Sequence, residues 1–268
     1  MKLHQQNLLF ITLDTLRLDV AQQALAEGDT PFLAQFLPNG WEPRHTPGSF
    51  TYAAHHAFFA GFLPTPIAPG KHPRRFAARF PGSETTVGDT IVFDAPDLVT
   101  GLRSADYHTI CIGGVGFFNK RSPIGSVLPN LFDESVWSAE LGVTSAESTR
   151  HQVAQAISRL NRQPSEQRIF LFINISALHQ PNCIFVDGAT TDSPATQQAA
   201  LAYVDSQLPP LFANLQQRGE TFVILCADHG TAYGEDGYVG HRIGHEVVYT
   251  VPYAEFVLSQ KGTQSGTE

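Results

Sequence analysis

Apolar residues in this chain follow two different periods. Continuous runs occur at Asn7–Leu13 (NLLFITL), at 109–112, within 168–181 (RIFLFINISALHQP) and at 222–227, with a further run near 251–258. Unbroken β-branched and aromatic runs of this kind suit strands covered on both faces, as in a parallel sheet. Between them apolar positions recur at helical spacing. Leu16, Val20, Ala24 and Leu25 predict a helix through Ala26, and Phe32, Leu33, Phe36 and Leu37 predict another, opened by Thr30-Pro31 and closed before Pro38. An Ala- and Phe-rich stretch after Thr51 ends at Gly61, 147–160 is amphipathic, and 196–218 is helical with a break at Pro209-Pro210. Residues 87–102 read as a helix or an irregular segment. Strands alternating with helices predict an α/β fold, a doubly wound, mostly parallel sheet with helices on both faces. The alternation runs over 1–259 as a single domain, and 260–268 is a polar tail expected to be disordered.

In such sheets ligands gather where strands end at their carboxyl edge. The first run stops on Asp14, the run at 222–227 stops on Asp228-His229, and His179 follows the run inside 168–181. An adjacent carboxylate and imidazole supply the O and N donors that zinc or manganese accept, and they equally form a hydrogen-bonded pair. Thr51 stands at a predicted helix start, where free backbone N–H groups and the helix dipole favour an anion; the competing reading is a plain N-cap. Asp14, Thr51, Asp228 and His229 together are donors suited to one divalent ion, which would activate the threonine it binds. A lone loop histidine such as His179 is ordinarily a polar surface residue, unless it reaches the same edge.

Charge narrows the choice of partner. With 17 Lys and Arg against 25 Asp and Glu, the formal net charge is -8, and no general field favours nucleic acid or an anionic membrane. Against that background the loop segment KHPRRFAARF, with Arg74 and Arg75, reads either as a solvated loop or as an anion-recruiting rim. Cys111, Cys183 and Cys226 lie far apart, two of them in apolar runs, which suits reduced thiols and a cytoplasmic location. The apolar run before Asp14 is too short for a signal segment or a bilayer span, so it is read as the first strand. The GGVG at 113–116 lacks a dinucleotide fingerprint.

The order LLFITLDTLRLD, then a hydroxyl residue ten positions before a helix-ending glycine, then a strand ending in ADHG resembles the alkaline phosphatase superfamily, nearest its sulfatase-like hydrolases and transferases. The resemblance implies that Asp14, Asp228 and His229 hold a divalent metal, zinc or manganese, and that Thr51 is both ligand and nucleophile. DHGTAYGEDGYVGH is similar to the DHGESLGE-type run of phosphoethanolamine transferases, which puts His241 against substrate phosphate or a second metal. His179 falls near the leaving group, and His245 lies just beyond, ahead of the VVYTVP segment. His55 stands where sulfatases carry an arginine, and Gly114 and Gly116 where they carry Lys and His. Threonine cannot supply the aldehyde that sulfatases make from Cys or Ser, so sulfate esters are disfavoured. One metal is expected and a second is open, because the position four before His179 is Ile175 rather than Asp.

The expected protein is thus a metal-dependent hydrolase or transferase of a phosphate ester or diester. Catalytic residues are Thr51, His179 and His241, and substrate contacts are His55, His245, Arg74 and Arg75. The resemblance implies that the C-terminal subdomain of full sulfatases is missing, so the pocket is expected either to be unusually open or to be completed by a homo-oligomer or partner protein. Two other readings stay open: a non-catalytic metal-binding module, and a phosphomutase.

Overall fold

Every residue of β1 (Asn7–Leu13), β8 (Ile169–Ile175) and β9 (Thr221–Cys226) is buried, as continuous apolar runs demand of central strands. The structure, a computed structural model, describes residues 5–80 and 88–260. Within them the elements run β1, α1 (Leu18–Glu27), β2 (Glu42–His45), α2 (Thr51–Phe59), β3 (Thr65–Pro66), β4 (Phe76–Ala78), β5 (Ile91–Phe93), α3 (Leu98–Ser104), β6 (His108–Ile112), α4 (Pro123–Val127), β7 (Glu134–Val136), α5 (Ser148–Leu160), β8, α6 (Pro194–Gln207), α7 (Pro209–Arg218), β9, β10 (Ala232–Tyr233), β11 (Val239–Gly240), α8 (Glu246–Tyr249) and β12 (Thr250–Leu258). The main sheet has the order β3-β2-β12-β9-β1-β8-β6-β7. From β9 to β7 the pairings are parallel, and from β9 to β3 they are antiparallel. The predicted mostly parallel α/β sheet is therefore present, with an antiparallel flank.

Alternation along β1 sends Leu9, Ile11 and Leu13 into one core, and Leu8 and Phe10 into the other. Helices α1, α5, α6 and α7 pack on the first face, while α2 and α3 pack on the second. Helix α2 has no side-chain cap, yet Ala54, Phe58 and Phe59 are fully buried against Phe10 and Phe172. Each buried phenylalanine contributes about 2 kcal/mol and a cap about 1, so packing fixes where α2 begins.

The expected helix over 31–37 is a single tight turn, Leu33–Phe36, ending before Pro38 as anticipated. The Asp205 carboxylate takes the amides of Phe32 (3.0 Å) and Leu33 (2.7 Å), and the stretch between the two prolines is too short to sustain a longer helix. Proline divides the 196–218 helix into α6 and α7, as its sequence requires. The segment 87–102 resolves into β5 and the start of α3, capped by Asp97 on Thr100 N at 2.7 Å; Val87 itself lies outside the described residues. Strands β2 and β3 were not anticipated, because half-exposed EPRH and TP carry no apolar period. Of the tail, only Gln260 is within the described residues, and among these no helix is long and apolar enough to cross a membrane.

Candidate functional site

Adjacent parallel strands β9, β1 and β8 end side by side, and the chain leaving β1 turns sharply. Thr15 adopts a left-handed φ of 62°, costly for a β-branched residue. Three contacts hold it there: its amide donates to Asp228 Oδ1 (3.1 Å), its hydroxyl donates to Leu178 O (3.0 Å), and Gln197 Nε2 donates to its carbonyl (2.9 Å). This turn locks the end of β1 to the end of β9, so Asp14 and Asp228 face one point. Close backbone packing on the other side requires Gly230, whose Cβ would stand 1.9 Å from Val247 O.

Asp14, Asp228 and His229 each present a ligand atom, all within 4.8 Å of one another. His229 Nδ1 donates to Gly230 O (2.8 Å), which fixes the tautomer and leaves Nε2 free for an ion. Asp14 Oδ2 accepts from Asn174 Nδ2 at 3.0 Å, whereas Asp14 Oδ1 is buried with no hydrogen-bond partner among the described residues. Asp228 Oδ1 accepts the amides of Thr15 and His229, and its Oδ2 accepts no hydrogen bond among the described residues. Burial pushes the Asp228 carboxyl up to about 7, against the lowering pull of those amides. Burial, and next the Asp228 charge, push Asp14 up to about 6. Two buried carboxylates with unsatisfied oxygens beside a neutral imidazole form a donor set that a divalent ion fits.

Thr51 is the first residue inside α2, not its cap; that position belongs to Phe50. The Thr51 hydroxyl makes no capping hydrogen bond and lies 3.4 Å from both Asp14 Oδ2 and His229 Nε2. Plain N-capping is therefore not its role. The predicted quartet comes together as a buried cluster at the amino end of a helix.

The histidines divide. His241 sits 4.6 Å, ring to ring, from His229 and 5.9 Å from His179, so both join the site on its outer side. Burial, then His229, His179 and Arg242, pull the His241 imidazole down to about 3, and among the described residues its Nδ1 has no hydrogen-bond partner. His179 Nδ1 bonds the carbonyl of Gln180 at 2.6 Å, beside a cis Gln180-Pro181 peptide. His55 does not match its expected place as a substrate contact. It is fully buried beneath Thr51, with Nδ1 donating to Thr51 O (2.7 Å) and Nε2 accepting from Thr12 Oγ1 (2.9 Å), among Phe58, Phe118 and Phe172. Burial holds it near pKa 3, so it stays neutral. His245 is a helix cap, accepting from Val247 N at 3.2 Å and contacting Asp236 at 3.1 Å.

Arg74 and Arg75 line a different place, a cavity of about 580 Å³ bounded also by Glu42, Arg44 and Glu255, with none of the quartet in its wall. Arg75 is committed to the Glu255 carboxylate and lies over Phe222. The cation beside the site is Arg242, and the residue orienting Asp14 is Asn174. Asn174 was detectable as the lone amide inside the apolar run IFLFINI, since a buried amide must find partners. Gly114 is packed so closely that a Cβ would lie 2.3 Å from Asn174 O, which excludes a lysine side chain on this backbone.

A sequence profile described as Sulfatase matches residues 6–264. No curated protein matches the chain. Among solved structures, the C-terminal periplasmic domain of the phosphoethanolamine transferase EptC from Campylobacter jejuni superposes with a TM-score of 0.62 at 13% identity, covering 94% of this chain and 79% of that one. The corresponding EptC domain from Escherichia coli, in complex with Zn, gives 0.60 at 13%, covering 96% and 73%. The lipoteichoic acid synthase LtaP from Listeria monocytogenes gives 0.59 at 15%, covering 94% and 65%. The resemblance in motif order, the shared fold and the profile match agree: the chain belongs to the sulfatase family.

Proposed function

We propose that this protein transfers or hydrolyses a phosphate ester or diester through Thr51, with a divalent metal held by Asp14, Asp228 and His229. The observation that carries the reading is the Thr51 hydroxyl, 3.4 Å from a ligand atom of Asp14 and one of His229 instead of capping its own helix. The ion, zinc or manganese, supplies Lewis-acid stabilisation of developing negative charge. The chain does the rest. Thr51 Oγ1 forms a bond to phosphorus as the ester P–O bond breaks, giving a phosphothreonine and a free alcohol. Amides at the start of α2 face the phosphoryl oxygens, because the first turn of a helix leaves them unpaired. His55 anchors the Thr51 carbonyl and so fixes the helix start. His179 and His241 bracket the outer side, where the leaving alcohol departs and the acceptor, water or a second alcohol, arrives. Phosphate is favoured over sulfate because threonine cannot be converted to the sulfatase aldehyde and because Gly114 leaves no room for a side chain. The reading includes a cytoplasmic location, supported by three free cysteines.

The test pairs Thr51→Ala with wild type on matched nitrophenyl phosphate and sulfate esters, with mass spectrometry after acid quench. Thr51→Ala is expected to stay folded and keep its metal while its rate falls by about three orders of magnitude or more. Phosphate is expected to exceed sulfate, and acid quench to trap a phosphorylated Thr51. Substantial turnover by a folded Thr51→Ala variant would sink the nucleophile.

A further inference from the structure

The outer side of the site carries one more feature, in the ribbon turn that brings His241 in. Gly240 has φ 85° and Arg242 has φ 70°, and for an arginine this is a strained backbone. The strain is held by the Arg242 amide, which donates to Ser49 O at 2.9 Å, tying this turn to the residues just before Thr51. Its guanidinium carbon lies 5.3 Å over the Phe50 ring, the residue that caps α2. The side chain is exposed, and among the described residues it forms no ion pair or side-chain hydrogen bond. By contrast Arg17, Arg44 and Arg75 each face a carboxylate. Arg242 is also close enough to His229 and His241 to oppose their protonation.

We infer that Arg242 is the anion-recognition residue of this site, its guanidinium taking phosphate oxygens that face away from Asp14, Asp228 and His229. Three facts converge on it. A planar five-donor fork matches two phosphate oxygens, stacking on Phe50 restricts where the fork can point, and the backbone contact to Ser49 fixes its root beside the nucleophile. In a protein of net charge -8 an unpaired arginine at the mouth also sets the local sign of the field for an arriving dianion. The inference deepens the proposed phosphoryl chemistry and rests on it.

Left-handed backbone makes glycine the clean substitution, since Arg242→Gly removes the guanidinium and relieves strain at once. Calorimetric titration of inorganic phosphate into the metal-loaded protein reads the effect without turnover. Arg242→Gly is expected to weaken phosphate binding tenfold or more at unchanged metal content and circular dichroism, with Arg242→Lys recovering part of it as a point charge. Unchanged affinity in Arg242→Gly, or no phosphate binding by the metal-loaded wild type, would overturn the inference. Arg242-dependent phosphate binding in a protein that turns over no ester would instead leave the inference standing and remove the proposed reaction.

Discussion

The floor and the rim of the site are built by opposite means. Asp14, Asp228, His229 and His55 are fully buried, each carried at the end of a core strand or on a helix wedged into the aromatic core. His179, His241, Arg242 and His245 sit on loops between elements, partly buried or exposed, and the backbone contacts there are few: His179 Nδ1 to Gln180 O, and the Arg242 amide to Ser49 O. A floor fixed by two apolar cores keeps its oxygens aimed at one point even when their charges repel, at a cost in carboxylate ionisation. A rim fixed by a few hydrogen bonds can change its residues without unfolding the protein. The proposed function assigns ion binding to the first region and substrate choice to the second.

The largest effect that would break this division is on metal. An Asp228→Ala, His229→Ala double variant is expected to lose the ion altogether, because a mixed carboxylate and imidazole set loses most of its donors. His241→Ala is expected to retain it. Elemental analysis of the purified proteins decides, and wild-type metal content in the double variant would dissolve the floor as defined here.

Much of the floor was legible because a polar residue ending an apolar run is a strong signal: Asp14 and Asp228 close β1 and β9, and Thr51 opens an Ala- and Phe-rich helix. His55 was misread since its place in that helix was visible but the direction of its face was not; with Phe58 and Phe59 it points into the core. In the rim, neighbours in sequence part company in space. Arg74 and Arg75 belong to a basic segment whose charges are partly neutralised on β12, a pairing across 180 residues that no local pattern encodes. His241 and His245 lie four positions apart, and it is His241, between the left-handed residues Gly240 and Arg242, that reaches His229, a backbone path that no hydrophobic period announces. Asn174 lay in plain view but inside a run read only for its apolar character.

A second, smaller effect sharpens the cost borne by the floor. The Asp228 carboxyl, raised from the ordinary 3.8 to about 7 by burial, binds its proton more tightly folded than unfolded. Its contribution to stability is therefore present below pH 4 and lost as pH rises through 7, when no metal is bound. His55 and His229, held neutral by burial, act in the opposite sense on the acid side, so the comparison is made between variants. In chelator, Asp228→Asn keeps an oxygen for the amides of Thr15 and His229 but carries no charge. At pH 8 it is expected to exceed metal-free wild type by on the order of 4 kcal/mol, with the gap closing toward pH 4. Urea unfolding across that range measures it, and a gap independent of pH would remove the charge as its cause.

The smallest expected effect tests the rim at its outer limit. His245 caps α8 through Val247 N, and its partner Asp236 is 81% exposed at the side chain, so that ion contact adds little in water. The short helix it caps nevertheless matters to the floor: Val248 O accepts from Gly230 N at 2.8 Å, and Gly230 in turn accepts from His229 Nδ1. If the buried Val248 holds α8 in place by packing, His245→Ala costs only the cap, about 1 kcal/mol, and leaves metal content and rate near wild type. Paired urea midpoints and metal titrations on the two proteins provide the check. A large loss of turnover with stability intact would return His245 to the substrate side of the site, where its sequence first suggested it.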